Sequence, residues 1–345
     1  MLKKTDIKEL SKDQLVLWLE RHGLESYRAE QILKWIYSHQ ADSFENMSDL
    51  GKETRKLLSY HFFIHRLDLA KTETSIDGSI KFLFKLKDGK HIESVLIPEK
   101  DHYTLCISSQ VGCAQGCKFC LTAKGGFIRN LTKGEIIAQV RDISKQLDRS
   151  KRLTNVVMMG MGEPLANYNH VVSAINVITD SEKGLGISNR RLTISTAGLV
   201  PKLYGLGRDT SVNLAISLNA TDNHTRTMLM PINRQYPLEK LLDACIKYPL
   251  MRRRRITFEY ILIKEINDSI KDAKRLAKLL QPIRSKINLI PFNTFPESGF
   301  QRPEESTILK FKDILTQHHY TAIIRHSKGQ DISAACGQLG ATYQT

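Results

Sequence analysis

The chain has 345 residues, of which 41% are hydrophobic and 25% are charged, a composition typical of a folded globular protein with a large core. No apolar stretch follows the lysines near the N-terminus, and none reaches the length of a transmembrane helix. We therefore expect a cytoplasmic protein with no secretory signal and no membrane span. The formal net charge of +15 favours a polyanionic partner, most simply nucleic acid, over a membrane surface.

Residues 1–70 predict a small helical domain, which is one candidate surface for nucleic acid. Segments 13–23 and 28–39 repeat apolar residues at helical spacing, and Gly23 ends the first pattern. Residues 71–100 predict a short β-hairpin extension, because apolar and polar residues alternate around Asp-Gly turns at 77–78 and 88–89.

From about residue 101 to residue 300, strand patterns alternate with helical patterns. Repeated β/α units imply a parallel sheet with right-handed crossovers, which six units can curl into an open, partial barrel with its ligands at the carboxyl ends of the strands. The last segment, 301–345, contains a candidate extra strand at 321–327 and a short helix in its tail. The six candidate barrel strands are 104–109, 153–159, 191–195, 212–218, 256–263 and 287–291.

Cys113, Cys117 and Cys120 form a C-x3-C-x2-C triplet, with Phe119 before the last cysteine. Three thiolates at this spacing can hold three corners of a cubic iron–sulfur cluster and leave the fourth iron open to S-adenosylmethionine. A structural zinc site is the alternative. It usually takes four protein ligands, so it would have to recruit a distant histidine.

The triplet, GMGEP at 160–164, LMPIN at 229–233 and DISAACGQL at 331–339 together resemble the radical S-adenosylmethionine RNA methyltransferases of the RlmN/Cfr family. The resemblance covers nearly the whole chain. It implies an α/β fold, the partial (β/α)6 barrel of radical S-adenosylmethionine enzymes, with a [4Fe–4S] cluster and S-adenosylmethionine as cofactors. The closer match is to members that methylate C2 of adenosine in 23S ribosomal RNA and tRNA. C2 is too electron-poor to attack a sulfonium, so the reaction needs radical chemistry.

The resemblance also implies the catalytic residues. Cys336 would accept a methyl group from one S-adenosylmethionine, and a radical derived from a second one would abstract hydrogen from that methyl group before it adds to C2. Glu93 would remove the C2 proton. Cys106 would attack the Cys336 sulfur, release the product and leave a transient Cys106–Cys336 disulfide. Without the resemblance, packing is the more frequent role for a lone cysteine such as Cys106 or Cys336, and it is the role that we assign to Cys245.

For S-adenosylmethionine, the resemblance implies contacts from groups that follow successive strands. Ser195 and Ser217 could instead cap the helices that follow them. Asn219 departs from the family pattern, in which relatives commonly have histidine. The implied cofactor contacts are Gly162, Glu163, Ser195, Ser217, Leu218, Asn219 and Asn293.

Two other hypotheses stay open. One is methylation of C8 of the same ribosomal adenosine, although Pro164 and the ESVLIP segment at 93–98 favour C2. The other is a non-catalytic RNA-binding protein with structural zinc. The run 252–255, four consecutive arginines, is either an RNA contact or a solvated loop before a strand. The resemblance also implies an electron donor such as flavodoxin or ferredoxin, and we expect a monomer.

Overall fold

The computed structural model describes residues 4–147, 151–295 and 298–340, so the last five residues of the predicted segment 301–345 lie outside the described residues. The strands are β1 (Thr5–Asp6), β2 (Phe62–Phe63), β3 (Asp68–Thr74), β4 (Ile80–Lys85), β5 (His91–Pro98), β6 (His102–Cys106), β7 (Gln110–Gly112), β8 (Phe127–Asn130), β9 (Arg152–Met158), β10 (Leu192–Thr196), β11 (Asn213–Ser217), β12 (Ile256–Leu262), β13 (Ser285–Pro291) and β14 (Ala322–Ile324).

The α-helices are α1 (Lys12–Arg21), α2 (Arg28–Tyr37), α3 (Lys52–His61), α4 (Leu121–Lys124), α5 (Lys133–Gln146), α6 (Tyr168–Thr179), α7 (Val200–Asp209), α8 (Asn223–Leu229), α9 (Leu238–Ile246), α10 (Ile270–Leu280) and α11 (Glu305–Gln317). From α5 onward, one α-helix separates successive strands of the barrel, except that both α8 and α9 lie between β11 and β12. Short 3₁₀ helices span Ile7–Glu9, Phe44–Asn46, Pro164–Asn167, Pro231–Arg234 and Gln330–Ile332. Among the described residues, no helix is long and apolar enough to cross a membrane.

Ten strands form one sheet in the order β14-β13-β12-β11-β10-β9-β6-β5-β4-β3. Within this sheet every pair from β6 to β14 is parallel, as the repeated β/α pattern predicts, whereas β3, β4, β5 and β6 pair antiparallel. The strands β7 and β8 form a separate antiparallel pair. The six predicted barrel strands are confirmed, and segment 321–327 contributes β14. The extension is a three-stranded meander continuous with the barrel. Its first strand, β3, was not predicted because it is largely exposed and polar and has no apolar alternation.

Local sequence explains where several helices begin. Thr132 and Ser269 cap α5 and α10, and in each case the carboxylate three positions later accepts a hydrogen bond from the backbone N–H of the capping residue. Each helix then buries an apolar face against the sheet. Alternate residues along a strand point to opposite faces, so every second side chain of the barrel strands faces its concave interior. That interior contains the cavities of the candidate site.

The N-terminal helices are joined to the barrel by a buried cation. Arg141 of α5 is 0% exposed. Its guanidinium donates to the backbone oxygens of Ile36 (3.0 Å) and Ala41 (2.6 Å) and forms ion pairs with Asp42 (2.8 Å) and Asp142 (2.6 Å). This single side chain therefore satisfies groups from both parts of the chain.

Candidate functional site

Among the described residues, two adjoining cavities lie on the concave face of the barrel. The smaller has a volume of about 140 Å³ and lies at the carboxyl ends of the parallel strands. The larger has a volume of about 490 Å³ and extends along the inner face from β5 to β14. Four side chains line both cavities and so stand at their junction. These are Met159, Glu259, Ile290 and Cys336.

The three cysteines of the triplet line the smaller cavity, between β7 and α4. Burial raises the pKa of Cys113 to about 12 and that of Cys117 well above its ordinary value, and the charge of Cys120 raises both further. The three sulfurs are therefore neighbours. Among the described residues, no group of three His, Cys, Asp or Glu side chains is arranged to hold a single metal ion. Three converging thiols that become thiolates on metal binding fit the three protein corners of an iron–sulfur cluster.

The GMGEP segment forms the turn after β9. Gly162 has φ +100°, and a Cβ there would lie 2.5 Å from the Cβ of Gln110, so only glycine fits. The buried Glu163 carboxylate accepts from the backbone N–H groups of Leu165 (2.9 Å) and Ala197 (2.7 Å). Burial raises the pKa of Glu163, while these hydrogen bonds oppose the rise. The result is a fixed acidic group in the wall of the smaller cavity.

The loops after β10 and β11 complete this wall. Ser195 and Ser217 line the smaller cavity, whereas Leu218 is buried and does not. Asn219 has φ +59°, a left-handed conformation that asparagine tolerates. Its Oδ1 accepts from the backbone N–H of Ile261 at 2.8 Å, so the side chain ties this loop to β12. Asparagine at this position therefore has a structural explanation within the chain.

Cys336 lies in a turn after the 3₁₀ helix Gln330–Ile332, on a segment held by several hydrogen bonds. The Asn293 side chain is not in either cavity wall. It donates to the backbone oxygen of Cys336 at 3.2 Å. From α4, the backbone N–H of Leu121 donates to the Gly337 oxygen and the Thr122 hydroxyl donates to the Leu339 oxygen, both at 2.7 Å. The segment that carries Cys336 is thus fastened to the loop that carries the cysteine triplet.

Cys106 ends β6 and lines the larger cavity together with Cys336. Both cysteines are free thiols in this structure. Burial raises the pKa of Cys106, and the nearby charge of Cys336 raises it further. The pKa of Cys336 is itself raised to about 11 by desolvation and by the charge of Glu259. The fold therefore brings together two thiols that are 230 positions apart in the sequence.

Glu93 of β5 is buried and lies outside both cavity walls. Its carboxylate lies 3.5 Å from the ammonium of Lys81 and accepts from the backbone N–H of Gly340. Burial raises the pKa of Glu93, while Lys81 and Gly340 oppose the rise. The structure therefore places this carboxylate beneath the segment that carries Cys336, close to the site but covered.

Glu259 is a site residue that the sequence analysis missed. It lies in the middle of β12, lines both cavities, and accepts from Asn288 Nδ2 at 3.4 Å. Burial raises its pKa. The sequence did contain a signal for this residue, namely a single carboxylate inside the apolar strand ITFEYILI. A charge that is buried needs a partner or a function, so this carboxylate could have been predicted to belong to the site.

Comparison with known proteins agrees with this geometry. Residues 107–277 match the Radical SAM superfamily, and residues 5–64 match the ribosomal RNA large subunit methyltransferase N-terminal domain. A dual-specificity RNA methyltransferase RlmN from Desulfosudis oleivorans is 56% identical over 336 residues, 97% of this chain and 91% of that protein. The corresponding protein of Syntrophus aciditrophicus is 49% identical over 338 residues, 98% of this chain and 97% of that protein.

Among solved structures, a radical SAM methyltransferase from Sphaerobacter thermophilus superposes with a TM-score of 0.92 at 41% identity, covering 98% of this chain and 99% of that one. The similarity thus extends over the helical N-terminal part, the barrel and the segment with Cys336. The chain belongs to the RlmN family of dual-specificity RNA methyltransferases, within the radical S-adenosylmethionine superfamily.

Proposed function

We propose that this enzyme methylates C2 of adenosine in 23S ribosomal RNA and in tRNA, with Cys336 as the methyl carrier. The observation that carries the proposal is the position of Cys336 at the junction of two cavities. A carrier must receive a methyl group on one side and deliver it on the other. A thiol that faces both spaces can do so without a large movement of the chain.

The smaller cavity has the residues that the cofactors require. Cys113, Cys117 and Cys120 would hold a [4Fe–4S] cluster. The fixed carboxylate of Glu163 suits the ammonium group of S-adenosylmethionine, and Gly162, Ser195 and the segment 217–219 would bind the rest. Bound together, the two cofactors supply the methyl group and a strong hydrogen-abstracting radical. Asn293 is a proposed contact that in this structure holds the Cys336 backbone.

The residues that complete the reaction lie in the larger cavity, where Cys106 meets Cys336, and directly behind the Cys336 segment, where Glu93 is buried. After C2 has bonded to the carbon carried on Cys336, Glu93 accepts the C2 proton, and its raised pKa suits a base that must hold a proton briefly. The cysteine triplet would hold the cluster that takes back the unpaired electron of the adduct. The Cys106 thiol then attacks the Cys336 sulfur and loses its proton, and the transferred carbon leaves with the electron pair of the broken sulfur–carbon bond and takes up a proton to become the methyl group. The disulfide formed in this step must be reduced before the next turnover.

Partners and organisation follow from the same proposal. The enzyme works as a monomer in the cytoplasm, where both RNA substrates are made, and takes electrons from a flavodoxin- or ferredoxin-type donor. We also propose four functional parts: a helical domain (1–70), a β extension with Glu93 (71–100), the barrel (101–300) and a carrier segment (301–345).

Nucleoside mass spectrometry tests the proposed function. Protein reconstituted anaerobically with iron and sulfide is incubated with S-adenosylmethionine, a reductant, and unmodified tRNA or a 23S ribosomal RNA fragment. We expect 2-methyladenosine in both RNAs. Formation of 8-methyladenosine would assign the chain to the C8 reaction, and the absence of any methylated adenosine would overturn the proposal.

The pH dependence of methylation tests the role of Glu93. Because a base must be ionised, the rate should fall as the pH drops through the Glu93 pKa, which burial places above the ordinary 4.5. The ammonium of Lys81 favours the charged form, so Lys81→Met should move this acid limb to higher pH. The Glu73 carboxylate raises the Glu93 pKa, so Glu73→Gln should move the limb to lower pH.

The measurement is the initial rate of 2-methyladenosine formation across roughly pH 5 to 9. The decrease in rate on the acid side of this profile is fitted to obtain the pKa of the base. Glu93→Gln should lower the rate at every pH and remove the limb. Shifts of the Lys81 and Glu73 variants in the same direction, or no shift in either, would contradict the assignment of Glu93 as the base.

A further inference from the structure

The edge of the barrel opposite the smaller cavity carries an unusual concentration of positive charge. Arg191 directly precedes β10, Arg255 directly precedes β12, and Lys286 is the second residue of β13. Because the parallel strands all begin at this edge, residues that are distant in sequence become neighbours here. We define the basic rim as Arg190, Arg191, Arg254, Arg255 and Lys286, together with Arg325, which follows the end of β14 but whose charge acts on Lys286.

The basic rim is poorly neutralised by carboxylates among the described residues, although the charge of Glu259 acts on Lys286 and Arg325. Within the described part of the chain, none of the six residues forms an ion pair with a carboxylate. The side chains of Arg191, Arg254 and Arg255 donate only to neutral oxygens of neighbouring residues. By contrast, the half-buried Arg129 of the same barrel is paired with Asp88 and Glu135.

The rim residues also act on one another. Burial, together with the charges of Arg325 and Arg255, lowers the pKa of Lys286. Burial and the charge of Arg190 lower the pKa of Arg254. Both effects mean that like charges repel across the rim, and a bound polyanion would relieve that repulsion.

The basic rim surrounds the mouth of the larger cavity. Arg190, Arg191, Lys286 and Arg325 line that cavity, whose inner end is formed by Cys106 and Cys336. Its volume of about 490 Å³ falls within the range of roughly 300–1,000 Å³ typical of small-molecule sites, so a single nucleoside fits.

Carboxylates do little to offset this charge. Among the described residues, the acidic side chains that line the larger cavity are the exposed Glu99 and the buried Glu259. Against them stand four rim cations and Lys328. The mouth is therefore strongly positive, while the floor near Cys336 contains a carboxylate.

We propose that the basic rim is the RNA-binding face of this enzyme: it holds backbone phosphates around the mouth of the larger cavity, and the target adenosine, turned out of its strand, enters there to reach Cys336. The inference rests on the proposed function, since it names the surface that receives the RNA. Cofactor and RNA then approach Cys336 from opposite edges of the barrel and do not compete for space.

The test compares two charge-removal variants. The rim variant is Arg190→Gln/Arg255→Gln/Arg325→Gln. The matched control is Lys271→Gln/Lys274→Gln/Lys278→Gln, which removes the same charge from the exposed face of α10. Binding of an unmodified tRNA transcript is measured by fluorescence anisotropy over a series of salt concentrations, with no methylation required.

We expect the rim variant to bind about tenfold more weakly or worse at a fixed salt concentration. The slope of log affinity against log salt should fall by about 2–3, since each phosphate contact contributes roughly 0.7–0.9. The control should stay within about twofold of the unsubstituted protein. Uncoupled cleavage of S-adenosylmethionine should proceed equally in all three proteins, because the rim does not touch the smaller cavity.

The inference would be overturned if the rim variant and the control bound tRNA with equal affinity and equal salt slope. It would also be overturned if Lys34→Gln/Lys52→Gln, which removes charge from the helical domain, weakened tRNA binding more than the rim variant does. If the triple rim variant fails to fold, each single rim variant should still lower the slope by roughly 0.7–0.9. Rim-dependent binding without any methylated adenosine would overturn the proposed function but leave this inference standing.

Discussion

Replacement of Cys336 by alanine is expected to abolish RNA methylation, with a loss of at least about a thousandfold, equivalent to about 4 kcal/mol of transition-state stabilisation. The reason is chemical, because alanine cannot carry a methyl group between the two cavities that Cys336 joins. The fold should change little, because the side chain faces open space rather than the core. The measurement is the yield of 2-methyladenosine under single-turnover conditions, beside a thermal melt.

Cys245→Ala is the matched control for this prediction. Cys245 of α9 is 2% exposed and lines neither cavity. Its replacement should leave methylation near the unsubstituted level while lowering stability by about 1 kcal/mol, as expected for a small cavity in the core. Methylation by Cys336→Ala, or a comparable loss in Cys245→Ala, would refute the carrier role.

Replacement of Arg141 by alanine is expected to lower the free energy of unfolding by about 3–5 kcal/mol. The guanidinium is fully buried, and its removal leaves Asp142 and two backbone oxygens without their donor. Asp142 keeps only its hydrogen bond from the backbone N–H of Leu67 at 2.9 Å. The measurement is urea denaturation followed by circular dichroism.

Lys145→Ala is the control for the buried pair. Lys145 reaches Asp42 from the surface, with a side chain that is 38% exposed. Its loss should cost less than about 1 kcal/mol, because solvent screens exposed ion pairs. If the two variants lowered the free energy of unfolding equally, burial would not be the reason for the large effect expected of Arg141→Ala.

The barrel could be predicted from sequence because its signals are local. Each parallel strand is a short apolar run between helical patterns. The cysteine triplet and GMGEP are contiguous motifs, and their residue types match the backbone conformation, as glycine does at position 162, where φ is positive. The strand β3 was not predicted because its exposed side chains show no alternation of apolar and polar residues. Its place in the sheet is determined by its pairing with β4 rather than by its own composition.

The parts of the site that could not be predicted depend on contacts between distant residues. Nothing near Glu93 in the sequence shows that Gly340 covers it, and nothing near Glu259 shows that it faces Cys336. The basic rim has the same origin. The arginine run at 252–255 was visible but ambiguous, and only the parallel register of β10, β12 and β13 puts two of its members beside Arg190 and Lys286.

The attachment of the Cys336 segment has a consequence for inactivation by heat. The Asp77 carboxylate accepts from the backbone N–H of Gly329 at 2.9 Å, and the Ser75 hydroxyl donates to Asp331 at 2.5 Å, contacts that span 252 and 256 positions of the chain. These part-buried polar contacts open at lower cost than the hydrogen bonds of the buried barrel strands. On warming, Cys336 should leave its place beside Cys106 while the sheet remains intact, so that enzymatic activity disappears before the structure melts.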